Sequence, residues 1–337
     1  MAGGNCAVYN PVMDRLAGQN TASSRHGRLF APIEPFDRRR MDRGDGHVLY
    51  VEQCGNPDGR PVIVLHGGPG GGCSPVMRRF FDPGHWRIVL FDQRGCGLST
   101  PQASVVANST PHLLSDIDAI VDALGLGPAV LFGGSWGATL ALAYAQARPE
   151  AVSALVLRGV FLGRQAELDW FYGGGAGRFW PELWARFIAP IPAEEHGDLI
   201  AAYHRRLFSG DPATETRHAI EWMAWENALA GMDCPTPANP PPDYARAFSR
   251  LENHYFANGC FLDEGQLLRD RPRIEHLPAI IVQGRYDMVC PPLSAWELAR
   301  GWDKAELRMV PASGHALTEP RIAAELVRVM QIMAGVD

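Results

Sequence analysis

The sequence contains almost no lysine: of its 31 basic residues, only Lys304 is one. Reactions that need a lysine amine, such as Schiff-base chemistry, are therefore not expected. A strong excess of one charge is also missing, because the formal net charge is −6 over 337 residues. This balance gives no reason to expect nucleic acid or an anionic membrane as a partner.

Long apolar runs and paired cysteine motifs are missing as well. No apolar run approaches ~18 residues, so we expect no membrane span. Residues 1–27 lack the basic start and apolar core of a secretory signal, and we interpret them as a loose N-terminal extension. The seven cysteines form no C-x-x-C motif, and their number is odd. Reduced thiols and a cytoplasmic location are the expectation.

What the sequence does contain is a regular alternation of apolar β-type runs with helical segments. This alternation predicts an α/β fold with a doubly wound, mostly parallel sheet. Helices are predicted over 110–124, with Thr110 as N-cap, over the residues from 136 to 148, and over 321–333. Strands are predicted at residues 47–52, 61–66, 87–92, 129–133, 154–160, 279–284 and 306–310.

The alternation stops between about residues 161 and 271. That segment is helix-like and rich in aromatic residues, with proline-rich breaks at 190–192 and 235–242. We predict that it forms a helical cap domain (161–271). The cap is inserted into an α/β core made of residues 28–160 and 272–337.

The most informative motif is G-x-S-x-G at residues 133–137. It lies between a predicted strand and a predicted helix, which is the context of the nucleophile elbow of serine hydrolases. Such a turn strains the serine backbone and lifts its hydroxyl clear of the sheet. Ser135 is therefore the predicted nucleophile.

A nucleophilic serine also needs a base, an orienting acid and an oxyanion hole. Asp287 follows the strand predicted at 279–284, and His315 follows the strand predicted at 306–310. Both therefore leave the same end of the sheet as Ser135. Their order along the chain, serine then aspartate then histidine, is that of α/β-hydrolases. Asp287 is the predicted acid and His315 the predicted base.

The glycine-rich stretch at residues 66–72 follows the strand predicted at 61–66. Glycines let backbone N–H groups approach a developing oxyanion, so we expect one donor here and the second from the N–H of Trp136. No Gly-Lys-Ser/Thr follows, which disfavours a phosphate-binding loop. Residues 92–97 end another strand on the same side, where a structural role is expected.

Taken together, these residues resemble the proline iminopeptidases, the S33 serine peptidases of the α/β-hydrolase superfamily. The resemblance runs from about residue 29 to the C-terminus. The triad motifs indicate only the superfamily. The segments at 222–226 and 252–256, which contain Trp225-Glu226 and Glu252-Asn253-His254-Tyr255-Phe256, make the resemblance specific.

The resemblance implies an aminopeptidase that releases N-terminal proline from peptides without a cofactor, and we assign no metal site. It places the oxyanion donors at the N–H groups of Gly68 and Trp136. It places the amine-binding carboxylates at Glu226 and Glu252. The remaining implied residues form the apolar proline pocket: Phe161 and Phe256, with Phe171 or Tyr172 as a third wall. The glycine run at 173–175 departs from the family's pattern within the cap.

Other readings of the same triad remain open. A cap-bearing esterase or small-molecule amidase would use the same three residues, since function depends on the site rather than the fold. A non-catalytic, ligand-binding member of the fold is a further alternative. An epoxide hydrolase or dehalogenase is disfavoured, because aspartate would then be expected at position 135. Oligomeric state is not indicated.

Overall fold

The computed structural model describes residues 27–232 and 240–335. The predicted N-terminal extension, residues 1–27, lies outside the described residues except for Gly27. The described residues form one eight-stranded sheet with the strand order β1-β2-β4-β3-β5-β6-β7-β8. The strands are β1 (Asp37–Asp42), β2 (Val48–Gly55), β3 (Arg60–Leu65), β4 (Trp86–Phe91), β5 (Ala129–Ser135), β6 (Val152–Val160), β7 (Ala279–Gly284) and β8 (Ala305–Val310).

Strands β3 to β8 are parallel to one another. At one edge β2 pairs antiparallel with β4, and β1 pairs antiparallel with β2. The predicted α/β class with a mostly parallel sheet is confirmed. The α-helices are α1 (Thr110–Leu124), α2 (Trp136–Ala147), α3 (Gln165–Tyr172), α4 (Pro181–Ile188), α5 (Leu199–Leu207), α6 (Pro212–Leu229), α7 (Pro242–Ala257), α8 (Gln266–Arg269), α9 (Pro292–Ala299) and α10 (Pro320–Ala334).

The central strands are buried on both faces. Ile63 and Leu131 belong to a hydrophobic cluster on one side of the sheet, and their neighbours Val62 and Val130 belong to the cluster on the other side. Successive side chains of a strand point to opposite faces, so a strand covered on both sides must be apolar at every position. This requirement explains the continuous apolar runs in the sequence.

Helices α3 to α8 lie between β6 and β7, where the sequence predicts the cap. Two contacts tie this segment to the sheet end that carries the predicted site. The Tyr244 hydroxyl, on α7, donates to the carbonyl of Gly71 at 3.2 Å. The carbonyl of Ala230, which follows α6, accepts from the backbone N–H of His315 at 3.0 Å. In the part of the chain that the structure describes, no helix combines the length and hydrophobicity of a membrane span.

One strand was not predicted, and one local prediction was wrong. Strand β1 was missed because its sequence, DRRRMD, is charged and largely exposed, so it carries no apolar pattern. Helix α1 has Ser109 as its N-cap, and Thr110 is already the first helical residue. The Thr110 hydroxyl donates to the carbonyl of Cys260 at 2.5 Å, a tertiary contact that the sequence did not indicate.

Candidate active site

The predicted elbow is present between β5 and α2. Ser135 has φ 58° and ψ −126°, a backbone conformation that costs free energy in any residue with a side chain. A Cβ atom on Gly137 would collide with the carbonyl of Leu65 on the neighbouring strand. The elbow therefore meets two requirements. The backbone of Ser135 is strained, and the helix approaches the neighbouring strand closely at Gly137, which has no side chain.

The predicted acid and base are in direct contact. Nδ1 of His315 lies 2.7 Å from Oδ2 of Asp287, and both side chains are buried. An acceptor at this distance fixes the tautomer with hydrogen on Nδ1 and leaves Nε2 as the basic atom. Burial lowers the pKa of His315, and Arg158 lowers it further, while Asp287 opposes both.

The Asp287 carboxylate is held by three other donors. Its Oδ1 accepts the backbone N–H groups of Val289 at 3.0 Å and Cys290 at 2.7 Å. Its Oδ2 accepts from Nε2 of Gln283, on β7, at 3.2 Å. With these bonds and the bond to His315, both oxygens are satisfied inside the protein.

Gly159, on β6, lies directly beneath this pair. Its φ is +54°, and a Cβ there would stand 2.8 Å from Cε1 of His315 and 3.2 Å from Oδ2 of Asp287. Any side chain at position 159 would displace the imidazole or the carboxylate. The two residues can thus meet only because this strand position is glycine.

The Nε2 atom of His315 faces an arginine. Nη1 of Arg158 donates to Nε2 at 3.1 Å and to the carbonyl of His315 at 2.7 Å. The Cys290 thiol lies beside the Ser135 side chain. The hydrogen bond from Arg158 to Nε2 must break before a proton can pass from Oγ of Ser135 to that atom. Catalytic hydrogen bonds commonly tighten only when substrate binds.

The predicted oxyanion loop lies against the elbow. A Cβ on Gly67 would stand 3.3 Å from Cβ of Ser135, so the loop backbone passes immediately beside the nucleophile. Gly68, the predicted donor, is the next residue and has φ +110°. Trp136 is the first residue of α2, where a backbone N–H has no acceptor within the helix.

The two glutamates predicted to bind the amine meet within the segment predicted as the cap. They hydrogen-bond to each other, and Oε2 of Glu252 accepts from Nε1 of Trp222 at 2.6 Å and from the Tyr172 hydroxyl at 3.3 Å. Oε2 of Glu226 is buried, and no group among the described residues donates to it. Burial raises the pKa of both carboxyls, and for Glu252 the charge of Glu226 adds to the effect.

The residues predicted to line the apolar pocket form a connected aromatic cluster. The ring centroids of Phe161 and Phe256 are 5.7 Å apart, and those of Tyr172 and Phe256 are also 5.7 Å apart. Tyr172 stacks on Trp222 at 4.3 Å, which joins the cluster to Glu252. Phe171 contacts Tyr172 at 4.4 Å and packs towards Trp225. The glycine run at 173–175 begins where α3 ends, immediately after Tyr172.

Several residues of this region were not singled out from the sequence. Arg158 and Gln283 lie within strands, where their polar side chains interrupt apolar runs, and that interruption was the available signal. The partners of Glu252 could not be identified, because Trp222 is 30 residues away along the chain. Gly159 was missed as well, whereas Gln93 lies in the 92–97 segment, for which only a structural role was expected.

Comparison with known proteins shows relatives that match most of the chain. A family described as alpha/beta hydrolase fold matches residues 60–320. A proline iminopeptidase from Xylella fastidiosa is 51% identical over 303 residues, covering 89% of this chain and 97% of the relative. The proline iminopeptidase of Arabidopsis thaliana is 48% identical, with 89% and 80% covered. That of Neisseria gonorrhoeae is 45% identical, with 90% and 98% covered.

Solved structures share the fold at lower identity. A proline iminopeptidase-related protein from Thermus thermophilus is 23% identical with a TM-score of 0.54, over 88% of this chain and 97% of that chain. An esterase from a Rhodococcus species is 18% identical with a TM-score of 0.57, over 90% and 99%. These two likenesses establish the architecture alone.

Proposed function

Because this chain belongs to the α/β-hydrolase family, as one of its proline iminopeptidases, it is a prolyl aminopeptidase, and we propose that Ser135, His315 and Asp287 carry out the hydrolysis. Peptides are its substrates. The roles of individual residues follow from the contacts around them. The observation that carries the proposed substrate recognition is the buried, unpartnered Oε2 of Glu226.

We propose that residues 161–271 act as a cap that binds the N-terminal amine through Glu226 and Glu252. Two buried carboxyls in contact cannot both ionise cheaply, so the pair holds one shared proton. The hydrogen bond between them lowers the pKa of Glu226 and raises that of Glu252, which places the proton on Glu252. The negative charge then rests on Glu226, whose free Oε2 is the acceptor for a cationic amine.

The proline ring would pack against the aromatic cluster of Phe161, Tyr172 and Phe256. A compact apolar ring gains free energy by leaving water for such a surface. Tyr172 contacts both Phe256 and Glu252, so the ring site and the charged site share a wall. This adjacency would select a substrate whose amine is part of a small apolar ring.

The proposed reaction begins with Nε2 of His315 taking the proton from Ser135 as Oγ attacks the prolyl carbonyl carbon. The hydrogen bond from Arg158 to Nε2 must break for this step. The N–H groups of Gly68 and Trp136 would stabilise the oxyanion. His315 then protonates the leaving amine as the C–N bond breaks, and a water molecule hydrolyses the prolyl ester to regenerate Ser135.

The recognition proposal predicts that acetylating the substrate nitrogen abolishes efficient turnover. We expect kcat/KM for N-acetyl-prolyl arylamide to be roughly 10²–10³-fold below that for prolyl arylamide, since acetylation removes the charge that Glu226 would bind. Steady-state assays of the purified protein on the two substrates measure the ratio. Equal rates would contradict the amine site without excluding the triad, and would favour a cap-bearing amidase.

The pKa shifts of Glu226 and His315 lead us to expect different pH profiles for two kinds of substrate. Burial raises the pKa of Glu226 to about 7, so kcat/KM for prolyl arylamide should fall as the pH drops through about 7 and the carboxylate is protonated. The pKa of His315 is lowered, so a small uncharged ester should keep its kcat/KM to more acidic pH. Rates of both substrates from pH 5 to 9 test this. An identical acid limb for the two would refute it.

We propose a cytoplasmic location for the protein. The five cysteines among the described residues are all unpaired, which supports a reducing compartment. Fractionation of the source cells followed by immunoblotting would test this, and recovery of the protein outside the cytoplasm would contradict it.

A further inference from the structure

One buried side chain joins the two segments that carry the proposed oxyanion donors. Gln93, in the loop after β4, is 2% exposed. Its Nε2 donates to the carbonyl of His66 at 3.0 Å, and its Oε1 accepts from Nε1 of Trp136 at 2.9 Å. His66 immediately precedes the loop that contains Gly68. Trp136 carries the other proposed donor on its own backbone.

The backbone of Gln93 makes a third connection to the same loop. Its N–H donates to Nε2 of His66 at 3.1 Å, so that ring atom carries no hydrogen. Its Nδ1 lies 2.9 Å from the carbonyl of Gly67 and 3.2 Å from the backbone nitrogen of Gly72, so the ring contacts both ends of the glycine-rich loop. Burial lowers the pKa of His66 to about 4, and the imidazole therefore stays neutral near pH 7. His66 thus connects Gln93 to Gly67, next to Gly68.

We propose that Gln93 is a positioning residue that sets the separation of the two oxyanion donors. The inference rests on the proposed function, which assigns those donors to Gly68 and Trp136. A primary amide suits the position because one end must donate to a carbonyl while the other accepts from an indole. Donors aimed at an oxyanion stabilise charge only if their geometry is fixed in advance. We call the Gln93 side chain, with its hydrogen bonds to the His66 carbonyl and the Trp136 indole, the clamp. Loss of the clamp should therefore lower turnover rather than weaken substrate binding.

The first test is Gln93→Met, which keeps the length of the side chain and removes both hydrogen bonds. We expect kcat for prolyl arylamide to fall by roughly 10–100-fold with KM changed by less than about 3-fold. The rate constant for inactivation by a fluorophosphonate should fall by a similar factor, because its phosphoryl oxygen occupies the same hole. The proposal would be overturned if KM changed by as large a factor as kcat, or if kcat stayed within about 2-fold of the wild-type value.

A matched control is Gln146→Met. Gln146 is also a buried glutamine, on α2, and its Nε2 donates to the carbonyl of Leu267 at 2.8 Å. It should lower the thermal unfolding temperature as Gln93→Met does while leaving kcat unchanged. If both variants lose kcat in proportion to their lost stability, Gln93 has only a structural role.

A double-mutant comparison tests the clamp itself. Trp136→Phe keeps the backbone donor and removes the indole N–H from which Gln93 accepts, together with part of the ring volume. If one clamp is broken in both variants, the double variant should be no slower than Gln93→Met alone. Losses that multiply would show that the two side chains act independently and would refute the clamp.

Gln93→Glu adds a signature that a packing defect would not produce. A protonated carboxyl can donate to the His66 carbonyl and accept from Trp136, as the amide does, whereas a carboxylate would repel that carbonyl. The fluorophosphonate rate of Gln93→Glu relative to wild type should therefore rise as the pH falls. A pH-independent ratio counts against the clamp.

If the wild-type protein reacts with the fluorophosphonate but not with prolyl arylamide, the substrate assignment fails. The inactivation rates of the variants still decide the role of Gln93 in that case.

Discussion

Replacing Ser135 with alanine should lower kcat for prolyl arylamide by about 10⁴-fold or more, because no other residue in the proposed reaction attacks the prolyl carbonyl. Alanine has the same backbone restrictions as serine, so the elbow at φ 58° should keep its shape. Steady-state kinetics and fluorophosphonate labelling followed by mass spectrometry measure the effect. The label should be absent from the variant and found on Ser135 of the wild type.

The control for this prediction is another buried serine, Ser249, whose hydroxyl donates to the carbonyl of Ala219 within the cap. Ser249→Ala should keep the label and most of the activity. Cys290 provides the sharper alternative, since its thiol contacts Ser135. Burial raises the pKa of Cys290 well above its usual value, so the thiol should not react. Activity in Ser135→Ala that disappears in Ser135→Ala/Cys290→Ala would identify the thiol as the nucleophile and contradict the assignment.

The second large effect is expected from the glutamate pair. Glu226→Gln should lower kcat/KM for prolyl arylamide by roughly 10²–10³-fold, because it removes the charge and the free acceptor that the amine would use. Glu252→Gln should cost less, since Glu226 can then ionise without a neighbouring carboxyl. Hydrolysis of a small uncharged ester should change by less than about 3-fold in both variants. Parallel assays on the two substrates give these ratios.

Glu215→Gln is the matched control. Glu215 is buried on the same helix, α6, but it pairs with Arg246 and Arg250 instead of facing another carboxyl. Its replacement should lower stability while leaving the preference for prolyl arylamide over the ester unchanged. If Glu226→Gln slows both substrates equally, the glutamates support the fold and do not recognise an amine.

Much of the architecture was predictable because its signals are local. The strands buried on both faces appear as unbroken apolar runs, and the predictions at 129–133 and 279–284 agree closely with β5 and β7. Strand β1 had no such signal, because an exposed edge strand needs no apolar face. Its place in the sheet depends on its pairing with β2, which runs from the pair of Asp37 with Gln53 to the pair of Asp42 with Val48.

Within the site, the residues with a motif of their own could be named from the sequence, whereas their supporting partners could not. Ser135, Asp287 and His315 each follow a recognisable strand in a fixed order. Arg158 contacts His315, which is 157 positions away in the sequence, and no local sequence pattern indicates that contact. Gln93 lies in a motif that appeared merely structural, because its link to Trp136 exists only after β3, β4 and β5 are aligned.

The parallel strands of the sheet, the elbow, the order of the three proposed catalytic residues and the resemblance to proline iminopeptidases could all be read from the sequence. These depend on backbone propensity, periodicity and short motifs, which act between neighbours in the chain. The folded structure was needed to show that Glu226 and Glu252 share a buried site, that Gly159 contacts the His315–Asp287 pair, and that Gln93 joins the segments of the two proposed oxyanion donors. Burial and hydrogen bonding between distant residues depend on how the elements pack, and packing is a property of the whole chain.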